Sequence, residues 1–567
     1  MTGLDFEASL NGLDKEAVRK ALLQYNYLPR QHDHKEELPP IFNSTQFTPE
    51  VVTKLVEIKA RWKGGYDLLP FRRTRHPNIP RMMGIPHPRA YAELVTVIAE
   101  NWNEISQVCQ SPNSQLEFGL HEDGRIVVHR YDHVAADGEV EDQDPLADFG
   151  KNYRIKTDIN NFYHSVYSHS LPWALVGHDE AKQHKGPQNS GKWYNQIDKA
   201  ITLCQRCETK GMPIGPATST LLSEAILYRV DEALRERYQF TRYIDDYTAY
   251  VDSRDDGDQF LISLSRELER YALTLNLKKT FVSQMPVLNR EEWITDINLF
   301  LGVDDETDAD EGGARAKLKF RQLKLIIDKA VALSKEFPDG SVIKYAFSAI
   351  IEIGIENEGL GSDDEAAERY FEDALLRYAY YYPTVIPLIQ RWLPRVASAD
   401  SRVEQRVERR VLKLLDRSFA LAQSDNIVWC IYYLMQLSAQ AQEELPGRCL
   451  DTNDPIVVLM GYVYAKKRKL PLQAFADWAN KFKDELNAGR MTEYDLDRVW
   501  LPLYQLFFDG VVEGPPYASE ADNSVFAALK EERVSFIDFD HGDFGRRASN
   551  YAAKIFGDLP VEIPGRQ

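Results

Sequence analysis

The chain has 567 residues, room for several domains, with 44% hydrophobic and 11% aromatic residues, which excludes a disordered or fibrous protein. A formal net charge of −19 argues against a protein that coats long duplexes, because affinity for phosphate backbones comes from Lys and Arg. No apolar run reaches the ~18 residues of a membrane span. The N-terminus has no basic-then-apolar leader and the five cysteines fit a reducing compartment, so a cytoplasmic protein with no membrane association is expected.

Residues 1–70 read as a helical extension, with apolar spacings Val18-Leu22-Leu23 and Val51-Val52-Leu55-Ile58 either side of Pro39-Pro40. The next stretch, to Pro88, is rich in Pro and Arg and reads as extended. Its Arg72, Arg73, Arg75, Arg81 and Arg89 form a local basic cluster, suited to a nucleotide or short strand. Helices are expected over 90–102, 195–207, 218–237 and 258–271, and strands within 116–134, at 155–159 and at 281–282. Tyr243-Ile244-Asp245-Asp246, between two β-prone runs, reads as a strand–turn–strand tip. After the acidic stretch 304–313 strand signals nearly vanish. Helical spacings such as Val403-Val407-Val411-Leu415 and Val457-Met460-Val463-Tyr464 then run to about residue 510. The expected division is 1–70, 71–310 and 311–567.

The chemistry centres on carboxylates. Asp245 and Asp246 sit on the hairpin tip, and Asp158 ends an upstream β-run. If that run lies beside the hairpin, three carboxylates meet, and they repel unless cations neutralise them. Hard oxygen ligands select Mg²⁺ or Mn²⁺, and two such ions would serve phosphoryl transfer. Between these motifs, Lys210-Gly211-Met212-Pro213-Ile214-Gly215-Pro216 opens a helix, where backbone can approach an anion closely. Downstream, Lys279 in Asn276-Leu277-Lys278-Lys279-Thr280 follows a helix, where it could meet a triphosphate.

Order and spacing of these elements resemble the palm of reverse transcriptases. The resemblance implies that Asp158, Asp245 and Asp246 are catalytic and bind metal. It also implies that Tyr163 lies under the sugar and excludes ribonucleotides, and that Arg81, Gly215 and Lys279 contact the incoming dNTP. The string Asp158-Ile159-Asn160-Asn161-Phe162-Tyr163-His164-Ser165-Val166-Tyr167-Ser168-His169-Ser170-Leu171-Pro172-Trp173 is similar to the bacterial abortive-infection, defence-associated reverse transcriptases. Asp497-Arg498-Val499-Trp500-Leu501 is a fainter match.

That family implies an α+β fingers–palm domain, an antiparallel sheet plus helices, followed by an all-α helical-repeat (HEAT-like) domain in place of a thumb. It further implies anti-phage activity, dNTPs and Mg²⁺ or Mn²⁺ as substrate and cofactor, a homo-oligomer, and a DNA product attached covalently to the protein. Tyr25, Tyr27 and Tyr66 are the candidate priming tyrosines. Two alternatives stand beside this reading: a reverse transcriptase templated by a dedicated non-coding RNA, and a non-catalytic helical scaffold with a relic palm.

Overall fold

The structure is a computed structural model describing residues 6–9, 12–29, 37–75, 78–121, 124–129, 148–288, 292–302, 318–338, 341–356, 360, 365–397, 401–437, 440–515 and 517–539. Its strands in chain order are β1 Phe6–Ser9, β2 Leu69–Arg75, β3 Ile79–Ile85, β4 Leu116–His121, β5 Val127–His129, β6 Tyr153–Asp158, β7 Gln239–Tyr243, β8 Asp246–Val251 and β9 Phe281–Gln284. They make a sheet of order β1-β4-β5, the hairpin β2-β3, and a central sheet of order β7-β8-β6-β9. These strands pair with one another antiparallel.

In the central sheet, alternate side chains face opposite sides. Ile155, Thr157, Phe240, Arg242, Tyr247, Ala249 and Val251 are buried on one face. Against it packs the helix Arg254–Glu269, started by a Ser253–Asp256 capping box. Gly257 faces Ile155 and Val251 there, and an added Cβ would lie 3.1 Å from Ile155. The longer helix Ala217–Leu234 reaches the same face through its polar side chains and is buried nearly all round. The opposite face is open and carries Lys156, Asp158, Asp246 and Thr248.

The N-terminal extension is less regular than its spacing suggests. The first helix, Lys15–Lys20, passes directly into a π-helical turn, Ala21–Tyr25, and the second is Pro49–Glu57. The extension is also not a separate body. Its Tyr27 and Phe47 rings meet Phe536 from the far end of the chain, and Phe42 bridges Ile537. Its apolar stripe is therefore covered from two distant parts of the sequence.

Beyond residue 318 the described elements are helical. Ser401–Ala420 packs on Ser424–Gln436, which packs on Pro455–Lys467, which in turn packs on Trp500–Phe508. The second and third of these helices also receive β2. Buried Asp425 accepts hydrogen bonds from the Thr74 amide at 2.8 Å and hydroxyl at 2.6 Å, and Asn78 accepts one from Gln423 at 2.8 Å.

This docking corrects the expectation of an open basic cluster. Arg72 pairs with Asp454 at 3.3 Å, and Arg73 with Glu37. Buried Arg89 is held by Glu93 at 2.9 Å and the Ile58 and Val56 carbonyls. Among the described residues, only Arg75 and Arg81 of the five have no carboxylate partner. A sequence lists the arginines; only the fold supplies acids from as far away as residue 454.

Candidate active site

Asp158 and Asp246 are directly opposed in the β6–β8 ladder. Directly opposed residues share a face with Cβ atoms about 5 Å apart, so two like charges stand side by side on the open face. Asp245 completes the tip: Tyr243 pairs with Asp246 across a two-residue turn of Ile244 and Asp245. The Asp245 carbonyl accepts the Ile159 amide at 3.1 Å, which ties the tip to the segment just past Asp158.

Ile244 has a left-handed φ of 53°, which a β-branched residue adopts only under constraint. Arg242 supplies that constraint. Its guanidinium is fully buried, donates to the Ile244 carbonyl at 2.9 Å, and pairs with Glu224 at 2.7 Å and Asp231 at 2.8 Å. The two acids are seven residues apart on one helix, hence on one face. Tyr247 donates to Asp231 at 3.0 Å and closes the network. Sequence reading missed these four residues. Their only signal was two acids at helical spacing, Glu224 and Asp231, on a helix followed by an arginine in the next strand.

Asp158 is almost wholly buried. Lys279 reaches its Oδ2 at 2.5 Å, Asn276 Nδ2 lies 3.4 Å from its Oδ1, and the Asn276 amide donates to its carbonyl at 2.7 Å. Asn276 is a second residue that sequence reading left without a role. Burial, with Asp246 and Asp158 beside it, pushes the Asp245 carboxyl up to about 6. Burial and Asp158 raise that of Asp246 too. Negative charge here exceeds what Lys279 offsets.

Among the described residues no three metal-ligating side chains form a ready cage, and Asp158 is turned toward Lys279. The donor chemistry nonetheless fits a hard divalent cation: three carboxylates, under-compensated, on an open face.

Tyr163 is half-buried two residues past Asn161, whose φ of 48° turns the chain. Its hydroxyl lies 3.2 Å from that of Thr220, and its carbonyl accepts the Met212 amide at 2.8 Å. The Gly/Pro loop thus braces the Tyr163 turn. Gly215, at φ 139°, sits elsewhere in that loop: an added Cβ would lie 3.3 Å from the Gly84 carbonyl of β3. Its tight contact is with the β2–β3 hairpin. Arg81 lies on β3 opposite Arg73, and its charge, with burial, lowers the pKa of His164. Burial and the charges of Arg81 and Arg73 lower the pKa of Arg75, while Glu37 and Asp245 act in the opposite sense.

Two of the priming candidates lie in the interior. Tyr27 is fully buried with its hydroxyl on the Pro86 carbonyl at 2.5 Å. Tyr66 is fully buried, stacked on His87 at 4.3 Å and capped by Arg61 at 4.0 Å. Tyr25 remains half-buried. The fainter match at 497–501 is likewise interior: Asp497 binds Arg61 at 2.5 Å and the Asp67 amide at 2.9 Å, and Trp500 is buried.

An antiparallel sheet bearing aspartates at one strand end and on the neighbouring hairpin tip is the arrangement of a polymerase palm. Residues 131–304 match the family described as "Reverse transcriptase (RNA-dependent DNA polymerase)", so the chain carries a reverse transcriptase domain. That domain supports a nucleotidyltransferase activity in general. No curated protein matches the chain. Among solved structures, apo telomerase from Candida tropicalis aligns at 11% identity and TM-score 0.29, over 72% of this chain and 77% of that one. Telomerase from Candida albicans, in complex with a TWJ fragment of telomeric RNA, aligns at 12% and 0.28, over 74% and 67%. Likenesses that loose carry no weight for function. No described helix is long and apolar enough to cross a membrane.

Proposed function

We propose that this protein is a DNA polymerase of the reverse-transcriptase type, acting in anti-phage defence and building DNA from dNTPs on one of its own hydroxyls. The observation that carries the polymerase reading is the register pair Asp158–Asp246, with Asp245 on the adjoining turn and Lys279 at its edge. Asp158, Asp245 and Asp246 would hold two Mg²⁺ or Mn²⁺ ions, whose chemistry is to activate a hydroxyl and stabilise leaving pyrophosphate. Lys279 moves from Asp158 to the triphosphate, Arg81 and Arg75 face its charge from the fingers, and Tyr163 lies under the sugar. Gly215 serves the nucleotide indirectly, by keeping the fingers hairpin close to the loop.

The defence role and the protein-attached product rest on the resemblance of residues 158–173 to abortive-infection reverse transcriptases. A helical domain that binds the fingers, where a thumb would hold a duplex, is consistent with both. Of the three candidate primers Tyr25 is the most accessible, half-buried where Tyr27 and Tyr66 are fully buried. A homo-oligomer and a helical-repeat C-terminal domain belong to the same proposal. An RNA-templated reading is favoured by the RNA-dependent character of the matched family.

The test is incubation with labelled dNTPs and Mn²⁺ or Mg²⁺, with and without RNase pre-treatment, followed by a denaturing protein gel. Label that stays with the protein until proteinase digestion supports self-priming. Loss of label after RNase supports the templated reading.

A further inference from the structure

Past the Tyr163 turn, Tyr167, His169 and Trp173 have no part in the polymerase reading. The helix Ser170–Val176 holds Trp173 half-buried at a cavity of about 450 Å³, also lined by His178, Arg229, Glu232, Arg270 and Tyr271. That volume lies within the ~300–1,000 Å³ of small-molecule sites. The cavity sits behind the palm, between this helix and the ends of Ala217–Leu234 and Arg254–Glu269.

Its lining combines rings and cations. Tyr167 and His178 meet Trp173 edge-on, at 5.8 Å and 60° and at 5.1 Å and 62°. No described ring stacks on the indole, which is half-buried and lines the cavity. His169, gripped by Asp198 at 2.5 Å, braces Tyr167 in turn.

Arg229 is fixed by the Ala174 carbonyl and Glu232, both at 2.8 Å. Arg270 is 60% exposed and, among the described residues, pairs with neighbouring Glu267, a contact that a phosphate can displace. Lys182 stands 5.9 Å over Trp173. An aromatic platform beside two guanidiniums is the chemistry that holds a nucleobase and its phosphate.

We propose that this cavity binds one unpaired nucleotide, its base on Trp173 and its phosphate between Arg229 and Arg270. The guest is either a free nucleotide or one residue of a single strand; the chemistry is shared. The site is separate from the carboxylates yet joined to them. From Tyr271 the chain turns at Ala272 (φ 60°), and the Thr274 carbonyl accepts the Asn160 amide at 2.8 Å. Asn276 then pins Asp158. Occupancy can therefore bear on the catalytic strand end.

The test is tryptophan-fluorescence titration of the full-length protein in EDTA, where the unneutralised palm carboxylates repel phosphate. The probes are a deoxynucleoside monophosphate, a short oligothymidylate, inorganic phosphate and thymidine. Arg270→Ala, a surface change, should weaken nucleotide binding at least tenfold at unchanged melting temperature, and Trp173→Leu should do the same. Phosphate or thymidine alone should bind at least tenfold more weakly than the nucleotide. Tighter binding of the oligomer than of the monophosphate assigns the guest to a strand, and equal binding assigns it to free nucleotide. Unchanged affinity in Arg270→Ala, or phosphate binding as well as nucleotide, overturns the proposal.

Discussion

Arg242 donates from Nη1 to the Ile244 carbonyl at 2.9 Å, so one buried guanidinium fixes the left-handed residue between Tyr243 and Asp245. The same group neutralises Glu224 and Asp231. Arg242→Met should cost about 3–5 kcal/mol by leaving two buried acids unpaired. Adding Glu224→Leu and Asp231→Leu should restore much of that stability while leaving the Ile244 carbonyl unheld. Thermal melts and nucleotide incorporation separate the two roles: the triple variant should melt near wild type yet incorporate poorly. A fully active triple variant would make the network purely structural.

Asp245 gives a pH dependence with a definite sign. Its carboxyl is raised from 3.8 to about 6, so the folded state takes up protons that the unfolded state has released. Its contribution to stability therefore falls as pH rises from about 4 to 6, and the full penalty persists above that. Mg²⁺ should raise the melting temperature more at pH 7.5 than at pH 5, and Asp245→Asn should stabilise the metal-free protein at pH 7.5. A metal-independent melt at both pH values would contradict this electrostatic account.

Much of the site was legible in sequence because its parts are local. An aromatic-x-Asp-Asp turn, an aspartate ending a β-run and a lysine after a helix are each short patterns, and the register brings Asp158 opposite Asp246. What was not legible depends on long-range partners. Arg72, Arg73 and Arg89 looked like a free basic surface until Asp454, Glu37 and Glu93 appeared beside them. Tyr27 and Tyr66 were named as candidate primers, and the rings that pack on them, Phe536 and His87, come from elsewhere in the chain.

Tyr163 is braced through Thr220 and the Met212 amide. Tyr163→Ala should reduce discrimination between dNTP and rNTP at least tenfold, about 1.4 kcal/mol in the selective step. Competing-substrate incorporation measures the ratio, and an unchanged ratio would remove Tyr163 from sugar selection.

The β2–β3 hairpin is tied to the helical region by Asp425, which accepts two hydrogen bonds from Thr74. Asp425→Ala leaves both donors unpaired and should cost about 2–4 kcal/mol. If this contact positions Arg75 and Arg81, KM for dNTP should rise more than kcat falls. Steady-state kinetics of the variant at a temperature well below its melt would show the split, and a pure loss of stability with unchanged KM would confine Asp425 to folding.

In the proposed function Asp158, Asp245 and Asp246 act as one nucleotidyl-transfer site. The most direct measurement is incorporation of labelled dNTP by wild type and by Asp245→Asn/Asp246→Asn, each shown to be folded, with Mg²⁺ or Mn²⁺. Incorporation by wild type, and a no-enzyme background for the variant, is the predicted result. A folded variant that incorporates as wild type does would contradict it.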